Sequence, residues 1–61
     1  MCDTSVYLVK GGAEELVISS IELVRIEGKD ISIRNIFGEE RKVSGSIREI
    51  NLMENKIIVE G

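Results

Sequence analysis

Ile31-Ser32-Ile33-Arg34-Asn35-Ile36 carries the clearest secondary-structure pattern in the chain. Apolar and polar residues alternate, which sends Ile31 and Ile33 to one face of a strand and Ser32 and Arg34 to the other. A helix would need apolar residues recurring about every 3.6 positions, and this stretch does not supply them. A bend is expected at Asn35-Ile36-Phe37, followed by a turn at Gly38-Glu39-Glu40.

The same β-branched signature recurs on both sides. Before it, strands are expected at residues 5–10, 15–19 and 21–27, separated by a Gly11-Gly12 hairpin turn and a break at Ser20. Gly28-Lys29-Asp30 turns the chain into the central stretch. After it come strands at 41–44, 47–52 and 56–60, with Gly45 as a bulge or sharp bend and Glu54-Asn55-Lys56 as a turn. Ile50 and Leu52 are expected to face inward, and Ile57 and Val59 to share a face. Six or seven short strands at this spacing predict an all-β fold, a small antiparallel barrel or strongly bent sheet around one core. The whole chain, residues 1–61, reads as one domain.

A chain of 61 residues buries only about 60% of its unfolded surface and is marginal alone. One cysteine cannot form an internal disulfide, so association into a homodimer is the expected remedy. Pairing exposed sheet edges across the dimer would also remove an aggregation hazard. The net charge of −3 does not favour a nucleic-acid surface. No apolar run is long enough to cross a bilayer, the N-terminus enters a strand pattern without a leader, and a free thiol fits the cytoplasm.

The chemistry concentrates at Met1-Cys2-Asp3. Cys2 is the only cysteine, and there is no histidine. A thiolate close to the terminal amine makes a nitrogen–sulfur donor unit suited to square-planar Ni(II) or Cu(II). If Met1 is removed, the Cys2 amine and thiolate close a five-membered ring. If Met1 stays, its amine and the Cys2 amide nitrogen serve. One such unit leaves the metal incompletely coordinated, whereas two, from two chains, complete it and predict one metal per dimer. The competing reading of Cys2 is an ordinary small hydrophobe or an incidental thiol.

Other classes find less support. Without histidine, a serine or cysteine nucleophile lacks its usual base. Glu14-Glu15 and Glu39-Glu40 are neighbours that a strand sends to opposite faces, so they read as turn solubility. Arg25, Lys29, Arg34, Arg41, Lys42 and Arg48 would form an RNA-binding strip if the fold gathered them, but Glu22, Glu27, Glu39 and Glu49 are interleaved. Tyr7 and Phe37 are the candidates for a protein-docking surface, with core packing the favoured fate of both.

The Met1-Cys2 opening, Asp3-Thr4, the Val6-Tyr7-Leu8 strand, residues 21–26, Ile36-Phe37-Gly38-Glu39-Glu40 and residues 46–52 together resemble the CooT-type nickel-binding proteins over nearly the whole chain. The resemblance implies a homodimer of Sm-like β-barrels. It also implies one Ni(II) held between the chains by the Cys2 of each, and delivery of nickel to a maturing enzyme, carbon monoxide dehydrogenase. An Sm-like RNA-binding module is the alternative that the implied fold suggests.

Overall fold

The protein is described by a computed structural model over residues 3–61. Its elements are β1 (Ser5–Lys10), β2 (Ala13–Ile18), β3 (Ile21–Glu27), β4 (Asp30–Asn35), β5 (Glu40–Ser44), β6 (Ser46–Asn51) and β7 (Lys56–Glu60). All seven are short strands, in line with the alternation and turn residues of the sequence. They form two open sheets, one ordered β2-β1-β7-β6 and the other β3-β4-β5.

Two corners join the sheets. At the first, β2 runs into β3 through Ser19-Ser20, and Ser20 adopts a positive φ of 56°. At the second, β5 runs into β6 through Gly45, at φ 145°. There the backbone N–H of Gly45 donates to the Lys29 carbonyl, 2.9 Å away. A Cβ on Gly45 would overlap the Glu60 carbonyl oxygen, so only glycine fits without displacing β7. The expected bend and bulge are therefore the points where one sheet hands the chain to the other.

The expectation of a purely antiparallel sheet is corrected. β1 pairs with β7 in parallel, from Ser5 opposite Lys56 to Val9 opposite Glu60, while every other pairing is antiparallel. The sheets also remain two packed layers rather than one closed barrel.

Both layers contribute to a single core. Val6, Ile18, Ile57 and Val59 come from the first sheet, and Ile21, Ile31 and Ile33 from the second. Leu8, Val17, Val24, Val43 and Ile47 pack against this cluster from its margins. Ile31 and Ile33 are thus buried as their alternation requires, and Ile57 and Val59 share the inward face.

Ile50 and Leu52, expected inward, are exposed. The register of β6 slips between Ile47 and Glu49, which sets Ile47 opposite Val59 and Ile50 opposite Ile57, both on the core-facing side. Ile50 lies on an edge strand, uncovered on one side, and Leu52 lies beyond the end of β6.

Candidate metal site at the N-terminal end

Met1 and Cys2, the expected metal ligands, lie outside the described residues. The structure does fix where the chain leading from them joins the fold. The Thr4 carbonyl accepts from the Ile21 N–H at 3.1 Å, and the Ser5 N–H donates to the Asn55 carbonyl at 2.9 Å. One step further, the Ile36 N–H donates to the Ser20 carbonyl at 2.9 Å. These three bonds tie together the start of β1, the β2–β3 corner, the β4–β5 turn and the β6–β7 turn. All four lie at one end of the molecule.

Two asparagine side chains build the turns there. Asn35 is almost fully buried, at 2% exposure. Its Oδ1 accepts from the N–H groups of Phe37 (3.0 Å) and Glu39 (2.8 Å), and its Nδ2 donates to Glu39 Oε1 at 2.7 Å. Asn51 repeats the device, its Oδ1 accepting from the N–H groups of Met53 (3.1 Å) and Glu54 (3.0 Å). An asparagine carbonyl that mimics a backbone acceptor stiffens a turn in this way. Sequence reading placed a bend at Asn35 but missed both asparagines as turn-holders. The signal available was an Asn just ahead of a turn.

What the turns hold out is apolar. Phe37, expected in the core, is exposed, as are Ile36, Leu52 and Met53. Tyr7 is not in the core cluster either. It is half-buried and lines up with Leu16 on β2 and Ile58 on β7. The Lys56 ammonium lies 4.8 Å from the Tyr7 ring centroid and 3.1 Å from Glu14 Oε1. The hydrogen bond to Glu14 raises the Lys56 pKa above its ordinary value of 10.5. The Lys56 stem lies against the sheet while its charged head stays in water.

Among the described residues, no three Cys, Asp or Glu side chains gather as a metal cluster. Glu14 and Glu15 lie beside Leu8, Lys10 and Ala13 along a half-open cleft by the β1–β2 hairpin, at the other end of β1 from Thr4. The basic side chains proposed for RNA do not form an unbroken strip. Arg34 is paired with Glu22 at 2.9 Å and Lys42 with Glu27 at 3.9 Å. Both pairs are exposed, so each is worth at most about 1 kcal/mol, but they neutralise the strip locally.

The comparisons fit this architecture. The family model described as CO dehydrogenase accessory protein CooT matches residues 1–60. A crystal structure of a protein assigned as CooT from Carboxydothermus hydrogenoformans superposes with a TM-score of 0.86 and 25% identity, covering 97% of this chain and 95% of that one. The uncharacterized protein MJ1551 of Methanocaldococcus jannaschii is 33% identical over 61 residues, the full length of both. The molecule is therefore of the accessory-protein class, with a small two-sheet β fold. The chain belongs to the CooT family.

Proposed function

We propose that this chain is a nickel metallochaperone that supplies Ni(II) to carbon monoxide dehydrogenase during its maturation in the cytoplasm. The working form is a homodimer with an Sm-like arrangement of bent strands. One Ni(II) is held as cargo between the two Cys2 thiolates, with nitrogen ligands from the N-terminal amine or the Cys2 amide. The observation that carries the reading is membership of a CO dehydrogenase accessory family, with the match running through Cys2. Two facts support it. The described residues offer no rival metal cluster. A nitrogen–sulfur unit is also half of a square-planar set, so it calls for a second chain. The client is the enzyme itself or another maturation factor.

The test is a nickel titration of the wild type beside Cys2→Ser, with N-terminal mass and metal stoichiometry measured on the same samples. The wild type is expected to bind one nickel per dimer, with sulfur-to-nickel charge-transfer bands. Binding should release protons and weaken as pH falls, because the ligands must deprotonate. Undiminished affinity in Cys2→Ser removes the thiolate from the site and the proposal with it.

A further inference from the structure

We infer that the outer face of the four-stranded sheet docks a basic amphipathic helix of another protein. Leu16, Tyr7 and Ile58 form its apolar centre, and Glu14, Glu49 and Glu60 border it with carboxylates. This surface belongs to the fold alone and needs no bound nickel.

Strand register makes the apolar centre continuous. Tyr7 on β1 stands opposite Leu16 on β2 and opposite Ile58 on β7, so three large side chains lie side by side across three strands. Cross-strand partners point to the same side of a sheet, with Cβ atoms about 5 Å apart. Val9 follows two residues after Tyr7 and shares its face. The core lies behind them, since Val6, Ile57 and Val59 take the alternate positions and are buried. Leu16 is 54% exposed, Tyr7, Val9 and Ile58 are half-buried, and among the described residues no strand packs over them. The other sheet has a different exterior. Its outward rows Leu23–Arg34–Glu40 and Arg25–Ser32–Lys42 contain a single apolar residue. A sheet with one solvated face ordinarily turns polar residues to water, so the apolar outward row of the first sheet calls for a cover.

Charge selects the occupant. Glu49 lies opposite Ile58 at the β6 side of the row, and Val9 lies between Glu14 and Glu60. Lys56 sits beside Tyr7, but its ammonium is held by Glu14 at 3.1 Å. Neither Glu49 nor Glu60 has an ion-pair partner among the described residues. The cross-strand positions of this face therefore carry three carboxylates against one ammonium. Such a border repels nucleic-acid phosphates and anionic lipid headgroups and attracts lysine and arginine. A second copy of the chain brings the same excess of negative charge, so pairing the face with itself sets like against like.

The width fits a helix. Strands lie about 4.8 Å apart, so the row from Leu16 to Ile58 spans about 10 Å. That is about the diameter of one α-helix with its side chains. A helix laid on a sheet buries one apolar stripe and keeps its flanking residues at the margin. Here those flanks would place lysines or arginines over Glu14, Glu60 and Glu49. Four apolar side chains make a contact at the small end of the range, under about 1,200 Å², which belongs to transient partners.

The experiment titrates the full chain with a synthetic helical peptide, a leucine stripe flanked by lysines, and with its twin carrying glutamates in place of the lysines. NMR amide shifts locate the contact, calorimetry gives the dissociation constant, and circular dichroism checks the fold. The lysine peptide is expected to bind at about 10–100 μM in low salt. It should move the amides of Tyr7, Leu16 and Ile58 and weaken about tenfold in high salt. The glutamate peptide should not bind. Leu16→Ser and Glu49→Lys should each weaken binding by about fivefold or more. Leu23→Ser and Glu40→Lys, on the outer face of the other sheet, should stay within about twofold of wild type. Glu49 is exposed, so Glu49→Lys tests the face even if Leu16→Ser fails to fold. No binding, equal binding of both peptides, shifts confined to another face, or equal loss in the controls overturns the assignment. So does a weaker self-association of Leu16→Ser in sedimentation equilibrium, which would make a second copy the cover.

Discussion

Replacing Gly45 by alanine probes the corner on which the two sheets turn. Its φ of 145° lies in a region that residues with a side chain rarely enter, and occupying it costs about 1–3 kcal/mol. The new methyl group would also overlap the Glu60 carbonyl oxygen and lie 3.0 Å from both the Glu60 carbonyl carbon and Gly61 Cα. Those are backbone atoms of the last strand and of the residue that follows it, and they cannot swing aside as a side chain would. Moving them adds about 1–3 kcal/mol by the usual cost of overpacking. The combined loss is about 2–6 kcal/mol, against a total of about 3–9 kcal/mol for a chain of this length. Gly45→Ala should therefore lose most of its stability. The assay is urea unfolding followed by circular dichroism at one fixed protein concentration, because association shifts the midpoint. Gly28→Ala is the internal control. Gly28 sits at φ 63° with nothing within 4 Å of a built Cβ, so its change should cost only about 1–2 kcal/mol. A Gly45→Ala protein as stable as Gly28→Ala would refute the argument, since it would mean that the corner relaxes without cost.

Asn35→Ala should destabilise by about 2–4 kcal/mol in the same assay, because it strands the Phe37 and Glu39 N–H groups in a partly buried turn. A loss under about 0.5 kcal/mol would show that water replaces the side chain freely. Glu14→Gln should lower the Lys56 pKa toward 10.5 by removing its hydrogen-bonded carboxylate, read by NMR titration of the lysine. The Lys56 contribution is present below that ordinary value and is lost as pH rises through the raised one. An unchanged titration in Glu14→Gln would mean that the pair does not form in solution.

The number of strands and most of their limits were legible, because alternation in residues 31–36 and 56–60 and the glycine turns are local signals. The direction of the last strand was not. Ser20 and Gly45 resemble turn residues, yet each bends a strand without reversing it. Counting β2 with β3 and β5 with β6 as two bent strands leaves five directions that alternate, so β1 and β7 must run the same way. Ile50 pairs with the buried Ile57 yet stays exposed, because β6 is an edge strand with no neighbour to cover it, and edge position is not written in the hydrophobic pattern. Phe37 was misjudged for a different reason. Aromatic burial is a tendency of monomers, and this side chain stands on a turn that Asn35 holds out into solvent. The candidate ligands Met1 and Cys2 were read from chemistry, Cys2 being the only thiol in the chain, and they lie outside the described residues. The gathering of the β4–β5 and β6–β7 turns at the start of β1 was not legible, because three backbone bonds between distant segments assemble it.

The parallel contact of β1 with β7 also sets an order of events in time. Ser5 pairs with Lys56, about 50 residues later. The β1–β2 and β3–β4 hairpins need only neighbouring sequence and can appear early during synthesis. Val6, the most buried of the described residues, keeps one flank bare until β7 arrives. Maturation of this protein on the ribosome therefore waits for β7, and a nascent chain stalled before that strand would present a sticky half-sheet to the quality-control machinery.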